Sequence, residues 1–488
     1  MSSLALFRQR HAREAALAAV CAILLLTFLD NTIVSVALAD IQKSLGSSVT
    51  GLQWIVDGYM LAFAALAHST GVLITGRLVM GLGAAASEPG TLSLIRHIYP
   101  ERQERAVALG VWAAVSGLAL SLGPVIGGVL VAGAGGWRSI FWFSLGFGGV
   151  AFAVAAVTLT ESREPEGRRL DVPGLVTGAA AVLAATFGVI EGENRGYGTW
   201  WIDVLFAAAA VLVVVFVLVE QRVPDPVLKL EFLRNPTFAT ANVVAFATNL
   251  SVFSVFFFTA LYLQLISNFS GFQIALVFAS LAAAMILAGP VAGYWTARVG
   301  PRVPMVLGCV LAGVGLLLVD WKLTATTSVA ALTWPLAIAG LGFGIALVSM
   351  TAAVLTLVPP EQSGMAASTV NTSRELGGVF GVAVLGAVVN AQLTSGLTEK
   401  LVRLGIPKSF RQIVVQIVTT GGSTNPADYP IAKGNGKVVA KVLLAAEDSA
   451  GHGIHLTLEI AGGIVLAAAV VALFAARHRV RDVEEVEL

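Results

Sequence analysis

Gly117-Leu-Ala-Leu-Ser-Leu-Gly-Pro-Val-Ile-Gly-Gly128 lies inside an apolar run from 106 to 131. A run of that length can cross a bilayer. In water, Gly117, Gly123, Pro124, Gly127 and Gly128 would weaken or kink a helix. In a membrane, small residues let two helices approach closely, and neighbouring groups satisfy the backbone that a proline frees. The stretch therefore predicts a bent helix pressed against a partner. Two readings follow: ordinary membrane-helix packing, or a flexing point in a machine that moves.

The rest of the chain supports the membrane. Of 488 residues, 57% are hydrophobic and only 12% charged, and the mean hydropathy is +0.84. Soluble domains carry about 25% charged residues. No water-soluble core hides this much apolar sequence, so the expected class is an all-α polytopic membrane protein. A net charge of +1 argues against nucleic acid as a partner. Cys21 and Cys309 both sit in apolar runs and read as inert thiols, with no disulfide framework and no metal set. The basic amino terminus resembles a signal peptide in form. The run after it is too long, however, and further spans follow, so a first membrane helix is expected.

Apolar spans are expected at about 15–38, 51–67, 71–95, 106–131, 138–160, 171–190, 200–219, 237–266, 271–296, 303–320, 330–357, 364–390 and 454–476. Basic clusters at 8–13, 96–105, 163–169, 222–234, 298–302 and 477–481 mark cytoplasmic loops. From Arg96 onward the sides alternate without fault. Before it they do not: three runs separate two basic clusters that both belong inside. The count works if 51–70 is shallow, re-entrant or merged into a bent helix, leaving twelve true crossings, or else if the amino terminus is outside. The polar stretch 391–451 predicts an outer cap of short surface helices around a Gly-, Ser-, Asn- and Pro-rich loop.

An ionisable side chain inside a span costs at least ~2.5 kcal/mol, so each is a functional candidate by default. Asp30, Asp57, Arg77, Glu88, Arg374, Glu375 and Glu459 all qualify. Asp30 and Arg77 read either as a buried ion pair fixing helix register or as proton-coupling groups. In the second case, desolvation favours the neutral acid and a nearby cation the charged one, and both change as a cavity opens to either side. Arginine stays charged and supplies the fixed counter-charge. Glu88, just before Pro89, is a second proton or cation candidate. Asp57 is either solvated near the end of its run or functional. Arg374 and Glu375 read as ordering the cytoplasmic half of their helix, and Glu459 as solvated near the outer surface.

Several motifs agree on a family. Leu29-Asp-Asn-Thr-Ile-Val-Ser-Val-Ala-Leu-Ala39, Trp54-Ile-Val-Asp-Gly-Tyr-Met-Leu-Ala-Phe-Ala64 and Gly76-Arg-Leu-Val-Met-Gly-Leu-Gly-Ala-Ala85 resemble the first, second and fourth helices of the fourteen-helix drug:proton antiporters of the major facilitator superfamily. The Gly-(x)5-Gly-Pro-x-x-Gly-Gly pattern at Gly117 to Gly128 resembles their fifth-helix antiporter motif, and the stretch from Asn371 to Gly386 also fits. There are departures: Ala39 replaces the usual proline and Met80 a common glutamine. The family's loop between its second and third helices, and the third helix itself, are missing: second-helix residues at Ala62–Leu66 pass almost directly into fourth-helix residues at Gly71–Gly83. This is the place where the charge alternation fails, so an internal deletion is expected. A relative of the lost loop stands at Gly293-Tyr-Trp-Thr-Ala-Arg-Val-Gly-Pro-Arg302, with Ala297 where an acid is usual.

The resemblance implies a two-bundle transporter of about 12–13 membrane helices, with both termini cytoplasmic in the inner membrane. The expected division is 1–160 for a first bundle, 161–235 for two additional helices and a linker, 236–390 for a second bundle, 391–451 for the outer loop and 452–488 for the last helix and tail. It implies proton-coupled export of small amphipathic compounds by a monomer. Asp30, Arg77, Glu88 and Asp57 are proton candidates. Gly293, Arg298, Gly300, Arg302, Arg374 and Glu375 form a cytoplasmic gate. Trp112, Phe246, Phe253, Phe257 and Tyr262 are candidate cavity aromatics, with packing against protein or lipid as their alternative role. No Walker motif is present, so ATP is not the expected energy source. No catalytic or metal constellation is seen, so neither a cofactor nor an enzyme is expected. Two other readings stay open: an uptake symporter, and an internally deleted relative acting as scaffold or sensor.

Overall fold

The computed structural model describes residues 3–34, 101–133, 135–159, 171–224, 226–358, 362–406 and 432–475, with isolated positions at 41, 411 and between 90 and 99. Every regular element among them is helical. Ten of these segments are long and apolar enough to cross a membrane. In lipid no water satisfies backbone N–H and C=O groups, so an uninterrupted apolar run closes its own bonds as helix.

In chain order the helices are α1 (Ser3–Ile33), α2 (Arg102–Val131), α3 (Arg138–Thr158), α4 (Val172–Arg195), α5 (Trp200–Glu220), α6 (Pro236–Leu265), α7 (Gly271–Val299), α8 (Arg302–Lys322), α9 (Val329–Thr356), α10 (Ser363–Arg403) and α11 (Ala432–Ala475). Their boundaries are chemical. Asp171 caps α4 by accepting the Gly174 N–H at 2.8 Å, and Asn235 caps α6 ahead of Pro236. Ser270 and Gln273 form a reciprocal capping box on α7. That helix stops at Gly300, whose φ of +80° suits glycine. Within α6 one turn, Val255–Thr259, is π-helical.

The helices touch through small residues. α7, α8 and α9 form one packed group, in which a Cβ at Gly342 of α9 would stand 2.1 Å from the Ala312 nitrogen of α8. α6, α10 and α11 form another: a Cβ at Gly377 of α10 would stand 2.2 Å from the Phe246 carbonyl oxygen of α6. α2 packs on α1 and reaches across to α7. α4 and α5 pair with each other, and α4 leans on α10; α5, 11% buried, lies at the edge.

The outer cap differs from expectation. Among the described residues of 391–451, the stretch is built from extensions of the spanning helices themselves. α10 has 41 residues and α11 has 44. At 1.5 Å per residue each is about twice the ~30 Å hydrocarbon thickness. Their projecting ends pack through Leu397, Leu401, Ala445 and Ala446, and Lys400 reaches Asp448 and Ser449. α10 ends only where Gly405 takes a φ of +72°, with Pro407 just beyond it. Residues 407–431 of that stretch lie outside the described residues apart from position 411, and so does nearly all of 51–95, where the missing helix was read.

Candidate functional site

The seam between the first helices and α10 carries the charge. Asp30, near the end of α1, is 1% exposed, with Phe28, Leu29 and Ile33 buried beside it. Arg374, in α10, is 2% exposed. Its guanidinium lies 5.0 Å from the centroid of the Phe28 ring, two residues from Asp30. A cation over an aromatic face is attracted by the ring quadrupole, the more so when desolvated. Arg374 also donates to Asn371 Oδ1 at 3.2 Å. Arg374 therefore joins α10 to α1, which is more than ordering its own helix.

Asn371 opens onto a small crevice between Trp112 of α2, Thr351 and Val354 of α9, and Val370 of α10. The Trp112 indole donates to the buried Thr91 hydroxyl at 3.1 Å, and Ser116 donates back to the Trp112 carbonyl at 2.9 Å. On the other flank Ser373 donates to Asn242 Oδ1 at 2.8 Å, while Asn242 donates to the Phe238 carbonyl. The Ser373–Asn242 bond joins α10 to α6, helices far apart in sequence. Sequence reading passed over Thr91, Asn242, Ser373 and the role of Asn371, because single hydroxyls and amides in apolar runs carry no spacing signal.

The other candidates fall into three groups. Trp112 lines the crevice. Phe253 packs on α10, 3.1 Å from where a Gly378 Cβ would stand. Phe257 is 2% exposed and meets Phe258 edge-on, and Tyr262 meets the His455 ring at 5.5 Å. Phe246 lies beside Phe380. At the other end, Gly293 lies within the last turns of α7 and Gly300 ends it, Arg298 stacks on Tyr294 at 4.2 Å, and Arg302 donates to the Leu473 carbonyl of α11. Asp57, Arg77 and Glu88 lie outside the described residues.

Of the opening motif, Gly123, Gly127 and Gly128 are buried in α2. Gly128 faces α7 directly: a Cβ there would stand 2.4 Å from the Gly271 carbonyl oxygen. The helix-pressing half of the expectation holds, and the partner is α7. Gly117 and Pro124 lie on the same helix, α2.

Residues 58–382 match the family profile described as Major Facilitator Superfamily. The chain belongs to the Major Facilitator Superfamily. It is a multi-pass membrane transport protein and not an enzyme. Multidrug resistance protein Stp of Mycobacterium tuberculosis is similar at 31% identity over 83% of this chain and 80% of that protein. The Methylenomycin A resistance protein of Streptomyces coelicolor is 33% identical over 74% of this chain and 83% of its own length. The Tetracenomycin C resistance and export protein of Streptomyces glaucescens is 27% identical over 94% and 90%. Among solved structures, a bacterial homologue of the human lysosomal transporter Spinster shares the superfamily fold at TM-score 0.57, covering 95% of this chain and 97% of that one at 18% identity.

Proposed function

We propose that this superfamily member exports small amphipathic drugs, antibiotics or related metabolites across the cytoplasmic membrane in exchange for protons, as a monomer with both termini inside. The observation that carries the reading is Asp30, buried in α1 beside the seam where Arg374 of α10 meets Phe28. A buried acid next to a helix seam changes its hydration when the seam opens, which is what loading and releasing a proton requires. Asp30 is the leading proton carrier, with Arg77, Glu88 and Asp57 as its sequence partners. Trp112 and Asn371 line the crevice that substrate would enlarge. Gly293, Arg298, Gly300 and Arg302 form the inner gate, where Arg302 ties α8 to the end of α11. The resistance and export names of the relatives support the substrate class.

The apparent loss of a loop and helix before Gly71 favours one rival, a relative without transport. Expression in a bacterium stripped of its own drug pumps separates the two. A cationic dye is expected to leave the expressing cells several-fold faster than control cells, and a protonophore should remove the difference. Protein present in the membrane with no faster efflux of any dye or antibiotic tested would favour the rival.

A further inference from the structure

A second ionisable cluster joins α6, α8 and α11, near the C-terminal ends of α6 and α8. His455 Nδ1 of α11 lies 2.6 Å from Asp320 Oδ1 of α8. Their side chains are 34% and 15% exposed, so the pair is neither fully buried nor a free surface contact. The Tyr262 ring of α6 meets the imidazole edge-on at 5.5 Å and an interplanar angle of 75°. Three helices thus converge on one imidazole.

We propose that Asp320 and His455, closed over by Tyr262, form a proton-binding site on the outer side. It rests on the orientation and proton coupling proposed above. A carboxylate only accepts hydrogen bonds, so Nδ1 carries the hydrogen shared with Asp320. That tautomer leaves Nε2 as the base. A proton arriving from outer water forms a bond to Nε2, the imidazole becomes imidazolium, and the hydrogen bond to Asp320 becomes an ion pair. Release reverses each step. Histidine is the side chain that ordinarily makes this change between about pH 5 and 8.

The backbone around the site is held closely enough to pass the change on. A Cβ at Gly451 would stand 3.3 Å from Ile266 and 3.5 Å from Tyr262, and one at Gly453 would stand 2.9 Å from the Val389 carbonyl oxygen. α11 is thus seated against both α6 and α10 just before His455. Further along, Ser251 of α6 donates to the Ala461 carbonyl of α11 at 2.9 Å. Two side-chain contacts of α6 with α11, the Ser251 hydrogen bond and the Tyr262 ring against His455, bracket the π-helical turn Val255–Thr259. Such turns occur often at functional sites. Phe253 and Phe257 lie between the same two contacts. A proton on His455 acts at one of these anchors, on the segment that carries these aromatics.

The charged neighbours are few. Tyr262 is the only titratable group of α6, and it feels the charges of Asp320 and Asp448. On α8, Lys322 is turned over the Trp321 ring at 3.8 Å. On α10, Lys400 is taken by Asp448, and Arg403 by Glu399. On α11 itself, His452 lies 3.6 Å from Asp448, and the helix also carries Glu447, Glu459 and, further toward its start, Lys433, Lys437 and Lys441.

The test uses the full-length protein in lipid nanodiscs and needs no substrate. The N–H groups of Ile266 and Ser267 both donate to the Tyr262 carbonyl, at 2.9 and 3.3 Å, and report on this end of α6. Their protection from hydrogen exchange, corrected for intrinsic rates, is expected to rise about two- to fivefold as pH falls from about 8 to 5.5, the size of a partly exposed ion pair. His455→Gln should remove the response, and Asp320→Asn should weaken it while leaving the imidazole in place. A wild-type protein with no response, or a His455→Gln protein with the full one, overturns the site. If His455→Gln does not fold, Asp320→Asn decides: a response equal to wild type overturns the site. Should the exchange response appear while efflux proves independent of any proton gradient, the site stands and proton-coupled export fails.

Discussion

Asp30→Asn is expected to abolish gradient-driven efflux while leaving the protein in the membrane at wild-type amount. The substitution keeps the size of the side chain and removes its charge. Asparagine inserts into lipid more easily than aspartate, so folding should not suffer. What is lost is the capacity to take up and give off a proton. Without it, inward proton flow and outward substrate flow cannot be linked, although passive exchange of labelled substrate across the carrier should survive. The measurement is dye efflux driven by an imposed pH step, alongside substrate exchange at equal pH. Wild-type gradient-driven rates in the mutant would remove Asp30 as the carrier.

Gly128→Val is expected to damage both stability and transport. The contact of α2 with α7 is backbone on backbone: the new Cβ would stand 2.4 Å from the Gly271 oxygen and 2.9 Å from its carbonyl carbon. Neither atom is the tip of a side chain that can swing away, so the helices must part. Overpacking of this kind costs about 1–3 kcal/mol, and the two γ-methyl groups of valine add to it. α2 and α7 belong to the first and second halves of the chain, so parting them loosens the link between the first and second sets of helices. Gly128→Ala should lower the melting temperature in detergent by several degrees and slow efflux; Gly128→Val should stop efflux. A Gly128→Val protein that melts and transports like wild type would mean that the close approach has no mechanical role.

The membrane class was plain from composition, because no aqueous core accommodates this much apolar sequence. Most described spans fell where long apolar runs put them, since in lipid the backbone has no alternative to helix. Gly128 announced a close approach but not its partner, because small residues specify distance and not identity. Arg374 shows the same limit. From its own neighbours it read as a local helix-ordering charge, and only the fold brings it onto Phe28 of the first helix. The cap was misread for a different reason. Hydropathy falls toward the far end of α10 and the start of α11, but helix propensity does not, and α10 continues to Arg403. Asp320 and His455 gave no signal at all, being lone polar residues at the ends of two spans.

Proton-driven export is tested most directly with the purified full-length chain in sealed liposomes, free of ATP. A cationic dye or antibiotic is placed on the side corresponding to the cytoplasm and a pH step is imposed. Export in exchange for protons predicts substrate movement against its gradient, a matching alkalinisation of the acidic side, and collapse of both on adding a protonophore. Substrate movement that is unchanged by the pH step, or its complete absence from well-folded protein across a broad panel of compounds, would contradict it.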